Sequence, residues 1–220
     1  MVFPECWGSL MKDELTSAVA KVWAPRLKEM SFKRAGRRDF VRLVDGIVQV
    51  VNFQVSAWGS RRFCVSVTAH TVCGNEDRVG QPGFRLKGNK GADLWLPSEQ
   101  SDQAESSVET AWKAAVEQAI PWFNTTSSLE GLIGVIRAED WGSKHHQQFQ
   151  IAIIEALLQR YEDAQVHAQS AIELYRADTR DWASAYCARA EELLTALRDG
   201  RPDELLTEWY EANKKIHRVA

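Results

Sequence analysis

Six side chains able to exchange hydrogen bonds or protons, Arg37, Asp39, Asn52, Gln54, Cys64 and Ser66, sit two apart within runs that otherwise alternate apolar and polar residues. Residues two apart on a strand share a face. The six therefore belong to one surface of a sheet, where they would offer amides, a hydroxyl, a carboxylate and a guanidinium to a ligand or to one another. Asparagine is depleted in strands, so the Asn52 and Gln54 pair points to specific hydrogen bonding, with a partner or within the chain. The competing reading is the wet face of a one-sided antiparallel sheet.

A second group is cationic. Lys33, Arg34, Arg37, Arg38, Arg61 and Arg62 cluster at the ends of the same runs, with Trp58 between them. Cations beside a stacking surface suit single-stranded nucleic acid, whereas a net charge of -3 favours a solvated rim that pairs with the acidic helices.

Other chemical signals are incomplete. His70 with Cys73, and His145 with His146, lack the second ligand pair that a tetrahedral metal site needs; adjacent helical histidines are expected to point apart. Gly83 to Lys90 has the glycines and cations of a phosphate loop, but no Gly-Lys-Ser/Thr, so Arg85, Lys87 and Lys90 offer only unspecific phosphate contact. Nucleophile-elbow, HExxH and dinucleotide signatures are absent. No catalytic residue, metal or cofactor is nominated.

The elements that position these groups start with Phe40 to Thr71, which reads as a three-stranded antiparallel meander. Asp45-Gly46 is a two-residue hairpin turn that sets Val44 opposite Ile47, Phe40 opposite Val51 and Asp39 opposite Asn52. A second turn near Gly59 would bring Phe53 to Val65, Val51 to Val67 and Asn52 to Ser66. One face then collects Phe40, Val51, Phe53, Val55, Phe63, Val65, Val67 and Ala69. The other is apolar at Val41, Leu43, Val48 and Val50 and polar from Asn52 onward.

Ala92 to Leu96 is expected as a fourth, edge strand ending at Pro97. Helical spacing marks residues 11–30, which Pro25 should kink or divide. A helix from Ser106 should run to Pro121, preceded by a polar linker over 98–105, and a short helix is expected over 128–136. Beyond it, Phe149 to Gln159, Tyr161 to Tyr175, Trp182 to Leu197 and Pro202 to Lys215 read as four helices. Ala164, Ala168 and Ala171 suggest one tetratricopeptide-type hairpin, with no fixed period that would make an array.

Hydrophobic residues at 45% and charged residues at 26% describe an ordinary globular chain. Four cysteines without a CxxC pair, and no leader pattern at the N-terminus, suggest free thiols and a cytoplasmic setting; no apolar run is long enough to span a membrane. The charge is divided. Residues 12–90 hold 15 Lys and Arg against 7 Asp and Glu, whereas 91–138 hold 2 against 7 and 139–220 hold 10 against 15. A basic front and an acidic back imply either that the two dock together or that the front meets an anionic partner.

Phe32-Lys33-Arg34-Ala35-Gly36-Arg37, Phe40-Val41-Arg42 and Ile47 to Ser56, followed by Leu94-Trp95-Leu96 and Ile120-Pro121-Trp122-Phe123, resemble the bacterial domain of unknown function family numbered 4304, over roughly residues 12–138. Ser31 departs from the pattern, since relatives carry glycine before the Phe. The resemblance implies a small bacterial accessory protein, with an immunity or toxin-associated role, and no established activity.

Together these readings predict an α+β domain over 1–142, an antiparallel meander of about four strands packed against helices, and a four-helix segment over 143–220. The expected function is protein binding without catalysis, through Arg37, Arg38, Asp39, Asn52, Gln54, Trp58, Arg61, Arg62 and Ser66. Nucleic-acid binding by the basic rim and an enzyme using the polar sheet face are the alternatives.

Overall fold

The computed structural model describes residues 13–57, 61–74, 81–139 and 142–216. Trp58 and the second meander turn around Gly59 lie outside them. The meander forms as expected, from β2 (Asp39–Val44), β3 (Ile47–Val55) and β4 (Arg62–Thr71). Val44 stands opposite Ile47, Asp39 opposite Asn52, Asn52 opposite Ser66 and Phe53 opposite Val65. Asp45 and Gly46 take φ of 46° and 78°, the positive values of the hairpin turn.

The sheet is extended by short pieces. The basic run before the meander, read as a connection, contributes β1 (Lys33–Arg34) beside β2. A short extended piece, expected near Phe84 to Leu86, forms β5 (Gly83–Arg85), and of the fourth strand expected over Ala92 to Leu96 only its end forms one, β6 (Leu96–Pro97); both pair with β4, and Lys87 bridges to Asp93 between them.

Helices α1 (Glu14–Glu29) and α2 (Ser101–Thr125) cover the inner face. Trp23 is the centre of this core: 1% exposed, it meets Phe53 edge-on at 4.8 Å and Trp112 at 4.9 Å, and its indole N–H donates to the Val108 carbonyl at 2.8 Å. Neither Pro25 nor Pro121 breaks its helix. An interior proline costs about 3 kcal/mol, and burying Leu27 beyond Pro25 and Phe123 beyond Pro121 offsets much of that, since each large side chain contributes about 1.5–3 kcal/mol. α2 also begins five residues earlier than its capping signal suggested, and the added turn buries Ala104 in the core.

Gln49 is the polar exception on the inner face. It is fully buried, accepts from Arg42 Nε at 2.6 Å, and donates from Nε2 to the Phe123 carbonyl at 2.7 Å and to Thr126 Oγ1 at 3.1 Å. Arg42 lies over the Phe32 ring at 4.7 Å and donates to the Met30 carbonyl; burial lowers its pKa. This node ties β2 and β3 to the ends of both covering helices.

Helix α3 (Leu129–Ala138) leads to α4 (Lys144–Leu157), α5 (Tyr161–Ala177), α6 (Ala183–Arg198) and α7 (Pro202–Ile216). Helix α4 faces two ways. Ile151 and Ile154 join Leu132, Ile133 and Ile136 of α3 against Ile47 and Ala69 of the sheet, while Phe149, Ala152, Ile153 and Ala156 enter the core of the last four helices. Ala164, Ala168 and Ala171 are buried there, as their spacing suggested. No described helix is long and apolar enough to cross a membrane.

The hairpins α4–α5 and α6–α7 close in the same way. Arg160 N–H donates to the Glu155 carbonyl after Gln159 at φ 60°, and Arg201 N–H donates to the Ala196 carbonyl after Gly200 at φ 71°. α1 ends likewise, with Phe32 N–H on the Leu27 carbonyl and Ser31 at φ 66°. Each is a left-handed C-cap of the Schellman type, a position that glycine fills without strain.

The apolar half of the outer face is covered, as its sequence required: Val41, Val48, Val50 and Val72 are buried, with Tyr210 of α7 packed against them. The turn that ends β4 is held by polar groups. Asn213 Nδ2 donates to the carbonyls of Val72 (2.8 Å) and Gly74 (2.7 Å), Arg189 donates to those of Cys73 and Gly74 while lying 4.2 Å from the Trp209 ring, and Cys73 Sγ donates to the Leu206 carbonyl. Burial pushes the Cys73 thiol up to about 11.

Two outcomes are expected in urea denaturation. Ser31→Gly and Gln159→Gly each raise stability by roughly 0.5–1 kcal/mol, because glycine relieves the left-handed strain. Gln49→Leu lowers it by about 2–3 kcal/mol, since the Arg42 guanidinium loses its buried acceptor.

Candidate functional site

The polar half of the outer face is a single row across four strands. Asp39, Asn52 and Ser66 stand opposite one another on β2, β3 and β4, and Ser66 stands opposite Arg85 on β5. Asn52 Nδ2 donates to Asp39 Oδ1 at 2.6 Å, and Ser66 Oγ donates to Asn52 Oδ1 at 3.5 Å. One register step toward the sheet end, Gln54 faces Cys64; its Oε1 accepts from Arg85 Nη2 at 3.1 Å and Nε at 3.3 Å. Arg85 Nη1 reaches Asp93 Oδ2 at 3.1 Å, and Lys87 Nζ reaches Asp93 Oδ1 at 2.6 Å.

The row is thus tied together by its own bonds, while Gln54 remains exposed and Asp39, Asn52 and Ser66 half-buried. A shallow cavity of about 410 Å³ lies at its β5 end, bordered by Ser66, Thr68, Arg85, Lys87 and Asp93. Asp93 is held below its ordinary value of 3.8 by the hydrogen bond from Lys87, then by that from Arg85. Cys64 is fully buried and burial pushes its thiol up, which suits packing and not nucleophilic attack.

Arg37 stands off this row, its side chain 79% exposed, with Asp13 Oδ2 at 3.6 Å. Arg38 and Arg61 come together at the sheet end, in a cleft of about 380 Å³, but Asp13, Glu14 and Glu99 share that cleft with them. Arg38 pairs with Asp13 at 2.7 Å. Burial alone would raise the Asp13 carboxyl, yet hydrogen bonds from Thr16 and Arg38 carry it below 3.8. Arg62 turns to the Trp95 carbonyl, and Arg34 to the carbonyls of Gly36 and Arg37.

Arg85 and Asp93 were not legible as members of the row. Arg85 belongs to a three-residue strand too short for a period-two pattern, and Asp93 arrives through a loop. The loop cations Arg85 and Lys87 are paired with Asp93, and the Lys87 backbone is clamped by the Gln118 amide through both its N–H and its carbonyl.

The two adjacent histidines do not point apart. Their ring centroids are 4.5 Å apart, and both are buried in one aromatic cluster with Tyr175, Trp182 and Tyr186: His146 stacks on Trp182 and its Nδ1 meets Tyr175 Oη at 2.8 Å. Burial lowers the His145 pKa. Among the described residues no three His, Cys, Asp or Glu side chains are grouped to hold a metal ion.

The basic front is partly neutralised by the acidic segment that follows it: Asp93 pairs with Arg85 and Lys87, and Glu105 and Glu109 of α2 pair with Lys21 and Arg26. Among the described residues its ion pairs go to Asp13, Asp93, Glu105 and Glu109, all within the sheet and its two covering helices. The acidic residues of α5–α7 that form pairs use cations of that same region, as in Arg176–Glu191, Arg201–Asp199 and Lys214–Glu211. No family model, curated protein or solved structure matches the chain.

In a carbon-detected NMR titration the Asp93 carboxyl should titrate below 3.8 and move upward in Lys87→Met. Because its folded pKa is depressed, the stabilisation from this cluster is fully present above the unfolded pKa and is lost as pH falls through the folded one.

Proposed function

We propose that the chain is a non-catalytic protein-binding module whose recognition surface is the polar half of the outer sheet face, together with Arg37 and the cleft at Arg38 and Arg61. The carrying observation is that residues 12–138 keep a small positive surplus, 17 Lys and Arg against 14 Asp and Glu, beside a row whose own side chains are already ordered. An ordered polar surface loses little rotamer entropy on binding, and a surplus charge favours a partner of opposite sign. The partner read from this is a protein with an acidic surface.

The mixed charge of the end cleft supports a protein over a phosphate backbone, because Asp13, Glu14 and Glu99 would repel phosphates next to the two arginines. The resemblance of residues 12–138 to the unknown-function family adds a bacterial accessory role, in which a neutralised toxin is one such acidic partner.

The test is affinity capture from the native host followed by cross-linking, comparing the wild type with Arg37→Glu/Arg61→Glu. A stoichiometric protein cross-linked near β3 and β4, and depleted at least tenfold by the charge reversal, is expected. Binding of oligonucleotides that weakens about 10³-fold or more between 50 and 200 mM salt would transfer the site to nucleic acid. Capture indifferent to the reversal would overturn the assignment of this surface.

A further inference from the structure

The turn that joins β4 to the last four helices carries buried polar atoms that its direct hydrogen bonds leave over. Gln150 of α4 is 1% exposed, and neither its Oε1 nor its Nε2 has a hydrogen-bond partner. Its amide lies against Gly74: a side chain beginning there would start 3.3 Å from Nε2 and 3.5 Å from Oε1. Asn213 of α7, also 1% exposed, spends its Nδ2 on Val72 and Gly74 while its Oδ1 is unpartnered. Thr71 Oγ1, on a fully buried residue of the same turn, is unpartnered as well.

Three elements thus bring one amide donor, two amide acceptors and a hydroxyl to a single four-residue turn. A buried amide without partners strongly disfavours the folded state, and an internal water with two to four polar partners is the usual remedy. We infer that internal water bridges Gln150 to Asn213 and Thr71 at this seam. The mixed donor and acceptor set suits a neutral molecule of that size. A cation is disfavoured by the Arg189 guanidinium, which donates to the Gly74 carbonyl, and an anion by the excess of acceptor oxygens.

The consequence concerns how the helical hairpins are attached. The outer end of β4 is held to α4 and α7 by water-mediated polar contacts beside the direct ones.

The test uses the full chain labelled with ¹⁵N. Cross-peaks to long-lived water, with the sign of a slowly tumbling complex, are expected at the side-chain amides of Gln150 and Asn213. In Gln150→Met, which keeps the shape but removes both amide atoms, the Asn213 cross-peak should disappear and Tm should fall, because Asn213 and Thr71 lose their shared bridge. Absence of the cross-peaks in the wild type overturns the inference, and it can be read without any variant. A Tm raised by Gln150→Met also overturns it, since that is the response of a dry, orphaned amide.

Discussion

The pairing of Val44 with Ile47 across Asp45-Gly46 is the constraint from which the rest of the molecule follows. Side chains alternate along a strand, so a slip of one residue would exchange the two faces of β3. In the observed register Val51 and Phe53 enter the core built on Trp23, Gln49 reaches the end of α2, and Val48, Val50, Asn52 and Gln54 are committed to the opposite face. Gln49 reinforces that choice: it is satisfied only where the Phe123 carbonyl and Arg42 both meet it.

What divides the outer face is the extent of its cover. Tyr210 and the buried valines account for the half near Asp45-Gly46, and the row from Asp39 to Arg85 begins where that apolar packing stops. The hydrogen bonds within the row keep long polar side chains in place at little further entropic loss. The charge distribution acts at larger scale, since the cations around the sheet find partners in Asp13, Asp93 and α2, whereas the acidic residues of α5–α7 that form pairs do so within those helices and their turns.

The last four helices are joined to the sheet by unlike contacts: Tyr210 packs on the outer valines, and two further links differ in kind. Helix α4 supplies apolar side chains to both cores, whereas Arg189 and Asn213 grip a turn through its carbonyl oxygens. The two hairpins also share one closure, Gln159-Arg160 matching Gly200-Arg201. That likeness lies in backbone conformation, with glutamine in one turn and glycine in the other, and so leaves no repeated period in the sequence.

The sequence by itself determined the meander, its register, the inner apolar face and the existence of most helices, because alternation, helical spacing and a two-residue turn are local properties of the chain. Only the tertiary structure decided the remainder. Pro25 and Pro121 lie inside helices because distant core contacts outweigh a local loss. Lys33-Arg34 becomes a strand because a neighbouring edge is there to pair with. Arg85 and Asp93 join the polar row, Arg62 leaves the basic rim, and His145 and His146 share one cluster, since each depends on which side chain arrives from far along the chain.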